Sequence, residues 1–295
     1  MNAKHVVDLL EGWVSRVAKE GGPEWLTAKR KEAEEGGPQW RFFASFSAVP
    51  RYVGKADLEL ETGDLDLAES TRRGWRPGRW SADQAGRSVL VLTYPHEEPS
   101  TYVKVLDEIF STADVGESVA LYQALPLLPH GYAFRGRAAE GIRSSMTPIY
   151  EAVALDNPYP AECFDDAAWN QLVLKAVFVG SPLHRIEGID RRANPELARM
   201  LVDYAHERWS AFRPVTPELW RPVGPYAGDK YLDELERVLK SDSDEDRAAA
   251  ALALSAAGTE AAAALLDTIP NLRARIASGE LTWGTWARKR AVDGG

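Results

Sequence analysis

Helix-start and helix-stop chemistry recurs along this chain, while strand chemistry is almost absent. Ser81-Ala-Asp-Gln84 fits a capping box, in which the serine hydroxyl accepts from a backbone N–H and the glutamine reaches back. Asn194-Pro195-Glu196 and Thr216-Pro217-Glu218 each combine a capping side chain, a first-turn proline and an acid that complements the helix dipole. Thr147-Pro148 repeats the first half of that device, with Thr147 read as the cap. Residues 100–112 space Val103, Leu106 and Phe110 for one helix face, and Pro126 and Pro129 stop the run ESVALYQALPLL. Near the end, Gly258 stands where a helix C-cap favours glycine, between DEDRAAAALALSAAG and its partner TEAAAALLDTIPNLRARIASG. Only residues 56–67 alternate with period two, which fits a small hairpin or a loop with one helical turn.

The expected fold is therefore all-α with little or no β. Short helices joined by short, proline-marked turns argue for stacked helical pairs, an α-solenoid of the HEAT or armadillo kind. The texture of the chain divides it into a helical and irregular segment 1–80, a central helical core 81–226 and HEAT-like helices 227–295, read as one continuous domain. GGP triplets at 21–23 and 36–38 bracket WLTAKRKEAEE, a solvated helix between flexible joints.

Composition narrows the function classes. The chain has 35 basic against 44 acidic residues, a balance of −9 that argues against a nucleic-acid surface. Cys163 is its one cysteine, so no internal disulfide framework or cysteine-rich zinc site is expected. No uncharged apolar stretch approaches the ~20 residues needed to span a bilayer. Asp8 and Glu11 stand where a signal peptide would place its apolar run. The expectation is a cytoplasmic protein that does not span the membrane.

No standard catalytic signature is present. The chain has no dinucleotide fingerprint, no Walker A loop, no HExxH and no GxSxG elbow. Its five histidines show no ligand-like spacing, and Cys163 has no local histidine to activate it. Asp165-Asp166 resembles the start of an acidic metal motif but lacks the third acid, and helix capping explains both carboxylates. No metal or cofactor is expected.

Candidate binding residues come from polarity in apolar surroundings. Trp169, Leu172, Val173, Leu174, Ala176, Val177, Phe178 and Val179 cover nearly the whole circumference of one helix, which predicts burial on all sides. Asn170, Gln171 and Lys175 in its middle then need partners, because an unpaired buried polar group costs roughly 1–3 kcal/mol. They either bond to neighbouring helices or line a pocket in which Lys175 faces an anion. Gln123, isolated in VALYQALPLL, is a further lining candidate. Arg143 and Arg191, with His184, Arg185, Arg192, Arg135 and Arg137, could form an anion patch; Glu187 and Asp190 favour internal ion pairing instead. The ten tryptophans, five of them (Trp13, Trp25, Trp40, Trp75 and Trp80) in the N-terminal third, fit a core or an interface as readily as a ligand cage.

Several passages carry a family likeness: FFASFSAVPRYVGK (42–55), SVALYQALPLLP (118–129), RAAEGIRSSMTPIYEAVALDNPYP (137–160), residues 167–209, and Thr216–Pro225. On these the chain resembles the EboA family, described as metabolite-traffic proteins. The resemblance implies partners encoded in the same gene cluster, including a membrane prenyltransferase, a sugar-phosphate cyclase and metal-dependent hydrolases. It carries no assigned catalytic residues. Three readings stay open. The first is a non-catalytic adaptor or small-molecule-binding protein in secondary-metabolite assembly or transport, with Gln123, Arg143, Asn170, Gln171, Lys175 and Arg191 touching an anionic or prenylated ligand. The second is an enzyme acting on a prenyl-phosphate or cyclitol-phosphate, with Asp166 or His184 as acid–base groups. The third is a protein–protein scaffold.

Overall fold

The computed structural model describes residues 3–293, with side chains through Arg288. Eighteen α-helices and no strand occur among the described residues, so the chain is all-α. Contacts divide it into two compact units, Met1–Phe164 and Asp165–Gly295.

The first unit runs α1 Ala3–Val17, α2 Gly22–Glu34, α3 Gln39–Tyr52, α4 Thr62–Thr71, α5 Ala82–Thr93, α6 Pro99–Thr112, α7 Val115–Ala124, α8 Arg135–Arg143, α9 Thr147–Ala154 and α10 Tyr159–Cys163. Its centre is α5, which packs against α1, α2, α3 and α7. Sequential pairs such as α2/α3 and α8/α9 are present, as stacked pairs require, and α5 gathers several of them round one axis. Residues Ala85 to Leu92 of α5 are all buried, and the apolar ones can form a core on every side. Gly86 permits the close approach of α3, since a Cβ there would lie 2.9 Å from Val49 Cγ1. The capping box at Ser81 and Gln84 forms as the sequence predicts, with Ser81 N donating to Gln84 Oε1 at 2.9 Å.

Two charged residues sit in this buried helix. Arg87 is 3% exposed and donates to Asp83 at 2.6 Å, one turn back. Asp83 also accepts from the Ser81 hydroxyl at 2.6 Å. The reason for a buried guanidinium lies in α3. Pro50 lies within that helix and has no N–H, so the carbonyl four residues back, that of Phe46, loses its helical partner. Arg87 Nε donates to Phe46 O at 3.3 Å, and its guanidinium stands 5.6 Å from the centre of the Phe46 ring.

Residues 56–67 do not form a hairpin. One isolated bridge joins Asp57 to Ser81, and Glu61 and Asp64 cap α4 reciprocally. The period-two pattern instead supplies the acids of that cap. Asp64 then accepts from Trp13 Nε1 at 3.0 Å and pairs with Arg16 at 2.6 Å, tying α4 to α1. Thr147 is the first residue of α9 and Met146 its N-cap, one position from the sequence reading.

The second unit runs α11 Asp166–Val179, α12 Pro195–Ser210, α13 Trp220–Val223, α14 Leu232–Leu239, α15 Asp244–Ala257, α16 Glu260–Asp267, α17 Pro270–Ala277 and α18 Trp283–Asp293. Its hub is α15, whose residues Ala249, Ala250, Ala251 and Ala253 are fully buried and keep neighbouring backbones close. Gly258 caps its end as expected, with a φ of 67°, and Ser243 caps its start.

The Arg87 contacts predict a specific pattern of stabilities. Arg87→Met leaves Asp83 buried without its cation and Phe46 O without a donor, a loss of about 3–5 kcal/mol. Pro50→Ala restores an N–H for Phe46 O, so the same Arg87 change should cost less in that background. Urea-denaturation midpoints of the four proteins in this cycle read the coupling, and strictly additive effects would contradict it.

Candidate functional site

A candidate site for a small molecule lies in the first unit, between α2 and α3. Trp25, Lys29 and Glu32 recur at i, i+4 and i+7 on one face of α2. Trp40, Arg41, Ala44, Ser45, Ala48 and Tyr52 share the facing side of α3. Gly22 lets the two helices close at one end, since a Cβ there would stand 2.9 Å from the Tyr52 carbonyl oxygen. At that end the Trp25 and Tyr52 rings stack with centroids 4.3 Å apart and planes 8° from parallel. Trp40, 66% exposed, marks the other end, twelve residues or about 18 Å away along the helix. Small side chains at 44, 45 and 48 leave a trough between them.

This trough encloses about 420 Å³ and is open to solvent. A smaller cleft of about 90 Å³ shares Lys29, Glu32, Arg41 and Ser45 with it and continues to Phe42 and Tyr94. Lys29 is held by Glu32 at 2.8 Å. The Arg41 guanidinium lies 5.3 Å from the Trp40 ring centre, and that of Arg51 lies 5.8 Å from Tyr52. Burial, and behind it the Glu108 charge, pushes the Tyr94 phenol above its ordinary range, so at neutral pH it remains a hydrogen-bond donor. The sequence left Trp25 and Trp40 open between core, interface and ligand cage; the i, i+4, i+7 spacing of Trp25, Lys29 and Glu32 was the available signal.

The six residues nominated from the sequence fall into both units. Gln123 and Arg143 belong to the first; Asn170, Gln171, Lys175 and Arg191 belong to the second. Gln123 is half-buried, and its Oε1 is buried without a hydrogen-bond partner among the described residues. Arg143 and Arg191 are exposed. The helix α11 is not buried on every side: Gln171 and Phe178 face outward, Phe178 at 75% exposure, and Lys175 is half-buried. Burial holds the Lys175 ammonium below the ordinary lysine range. Asn170, 3% exposed, is the one of its three polar residues that is fully buried, and it has a partner of its own kind. Its amide donates to Asn194 Oδ1 at 3.2 Å and accepts from Asn194 Nδ2 at 2.8 Å. Asn194 in turn caps α12 by accepting from Leu197 N at 2.8 Å. None of the six lines the trough or its neighbouring cleft.

Arg192 and Asp190 of the basic segment find their ionic partners outside it. Arg192 pairs with Asp166 at 2.8 Å and lies over the buried Trp169 ring, and Arg221 holds Asp190 through two contacts at 2.7 and 2.6 Å. Asp165 caps α11 by accepting from Ala168 N at 2.8 Å. Among the described residues no group of three or more metal-ligating side chains converges. Burial pushes the Cys163 thiol up, which keeps it in its unreactive form at neutral pH.

One arrangement in the second unit went unrecognised. Glu218, 4% exposed, accepts from the backbone N–H groups of Leu183 at 3.0 Å and His184 at 2.9 Å, and meets His184 Nδ1 at 2.8 Å. Facing that carboxylate, Nδ1 is the nitrogen that donates, and Nε2 makes no hydrogen bond to a described residue. The sequence reading gave Glu218 to the dipole of its own short helix. Its apolar neighbours, Leu219 and Trp220, were the available sign that it points inward.

A third cleft of about 430 Å³ lies among α15, α17 and α18, walled by Leu272, Leu281 and Trp286. Its cations are committed, Arg275 to Glu280 at 2.6 Å and Arg247 to Asp244.

In comparison with known proteins, a family model described as metabolite traffic protein EboA matches residues 6–224. That span holds the trough and the His184–Glu218 pair, and stops before the third cleft. No curated protein and no solved structure matches the chain.

The paired asparagines separate structure from ligand binding. Asn170→Ala should cost about 1–2 kcal/mol, because Asn194 still caps α12. Asn194→Ala should cost more, since it removes the cap and strands Asn170 as well. Urea titrations compare the two, and a larger loss for Asn170→Ala would contradict this assignment.

Proposed function

The chain belongs to the EboA family of metabolite traffic proteins, and on that premise we propose that it is a carrier that holds a small molecule in the trough between α2 and α3. The observation that supports this reading is the Trp25–Tyr52 stack at one end of an open cleft of about 420 Å³. That volume lies within the roughly 300–1,000 Å³ of small-molecule sites. Aromatic faces and small side chains bind an apolar body without covalent chemistry, and an open cleft releases it again. A carrier needs both properties.

In this reading the protein works in the cytoplasm in secondary-metabolite assembly, collecting an intermediate from cluster enzymes and presenting it to a membrane prenyltransferase. No helix among the described residues is long and apolar enough to cross a membrane, so such a hand-over takes place at the membrane surface.

A second reading is favoured by one observation, the imidazole of His184 held by a buried carboxylate. His184 is 27% exposed at its side chain, so its Nε2 can meet a substrate. This is the geometry of a general base, and it keeps an enzyme acting on the trafficked molecule as the alternative.

Native mass spectrometry of the chain purified from a host expressing the neighbouring biosynthetic genes tests the carrier reading. A retained small molecule is expected, and Trp40→Ala, an exposed position that leaves the fold intact, should lose most of it. Equal retention by the Trp40→Ala protein would remove the trough as the site. Retention that depends on His184, with mass changing over time, would favour the enzyme.

A further inference from the structure

We infer that the ligand of the α2–α3 trough is an anion, a carboxylate or phosphate, borne on a planar or unsaturated apolar body. This deepens the carrier reading and rests on it. Several arginines of the first unit are committed to carboxylates. Arg16, Arg30 and Arg137 each face a carboxylate of that unit, at 2.6, 3.0 and 2.7 Å. Arg41 does not. Its side chain makes no hydrogen bond or ion pair to any described residue, although the chain carries nine more acids than bases. Arg51, beside the other end of the trough, is likewise without a carboxylate.

Both guanidinium groups are nonetheless positioned. Each lies against an aromatic ring, Arg41 on Trp40 and Arg51 on Tyr52. A guanidinium beside a ring keeps its N–H groups free to donate elsewhere. Those groups match a carboxylate or phosphate in a two-point contact. The other cation of the trough, Lys29, is taken by Glu32, so these two cancel where they stand. Arg41 is what remains, and the charge left in the trough is positive.

The overall charge of −9 does not reverse this conclusion. At physiological salt its field is screened beyond about 8–10 Å, whereas Arg41 would touch the anion directly. The apolar body follows from the walls. The Trp25–Tyr52 stack and Trp40 offer ring faces, and Ala44, Ser45 and Ala48 give a shallow floor on which a flat or extended group fits. A free inorganic anion would leave those ring faces unused.

Fluorescence titration of the full chain with two probes tests this. One is 8-anilinonaphthalene-1-sulfonate, an aromatic anion; the other is N-phenyl-1-naphthylamine, the same rings without the charge. The sulfonate should bind more tightly, and more weakly as salt rises. Arg41→Ala should lower its affinity about three- to fivefold while moving the neutral probe by less than about twofold, a difference of the size one exposed charge contact gives. Trp40→Ala should weaken both probes. If Trp40→Ala weakens both but Arg41→Ala changes neither, the anionic class is wrong and the carrier site stands. If neither variant changes either probe, the trough itself is excluded and both readings fall. Far-UV circular dichroism checks that these two exposed positions leave the helices intact.

Discussion

Arg87 is the joint on which the first unit depends. A proline inside α3 strips the Phe46 carbonyl of its helical donor, and a buried carbonyl without a partner is costly. Arg87 supplies the donor from the neighbouring helix. Its charge then requires Asp83, and Asp83 is held in turn by Ser81 at the helix start. One backbone defect thus fixes three side chains and the register of α3 against α5. The opposite face of α3 is the trough floor, so the same joint sets where Trp40, Arg41 and Tyr52 stand.

The two units use polar groups differently. In the second, nearly every conspicuous polar residue answers a structural need: Asn170 pairs with the cap of α12, Asp165 caps α11, and Arg192 and Arg221 neutralise Asp166 and Asp190. His184 is the exception, since its carboxylate partner orients it without using its second nitrogen. In the first unit the trough holds groups with no internal task, namely open ring faces and an uncommitted guanidinium. Binding capacity is found where chemistry is left over after folding is satisfied.

The fold class was legible because helix signals are local. Caps at Ser81 and Asn194 each depend on a few adjacent residues, and the structure repeats them with side-chain contacts. The site was less legible because it depends on pairs distant in sequence. Helical projection showed α11 apolar all round, yet Phe178 is largely exposed: periodicity reports composition, and neighbours decide burial. Asn170 was correctly read as needing a partner, and Asn194 supplied it from 24 residues away. Glu218 and His184 are 34 residues apart, beyond any motif spacing. The trough combines spacing on α2 with spacing on α3, and only the glycine at 22, which lets the helices meet, joins the two patterns.

Hydrogen–deuterium exchange of the ligand-loaded against the stripped protein tests the central claim most directly, because it locates binding without naming the ligand. The account predicts slower exchange in residues 22–52, with the amides of 166–192 unchanged. Protection centred on 166–192, or none in α2 and α3 despite a bound molecule, would contradict it.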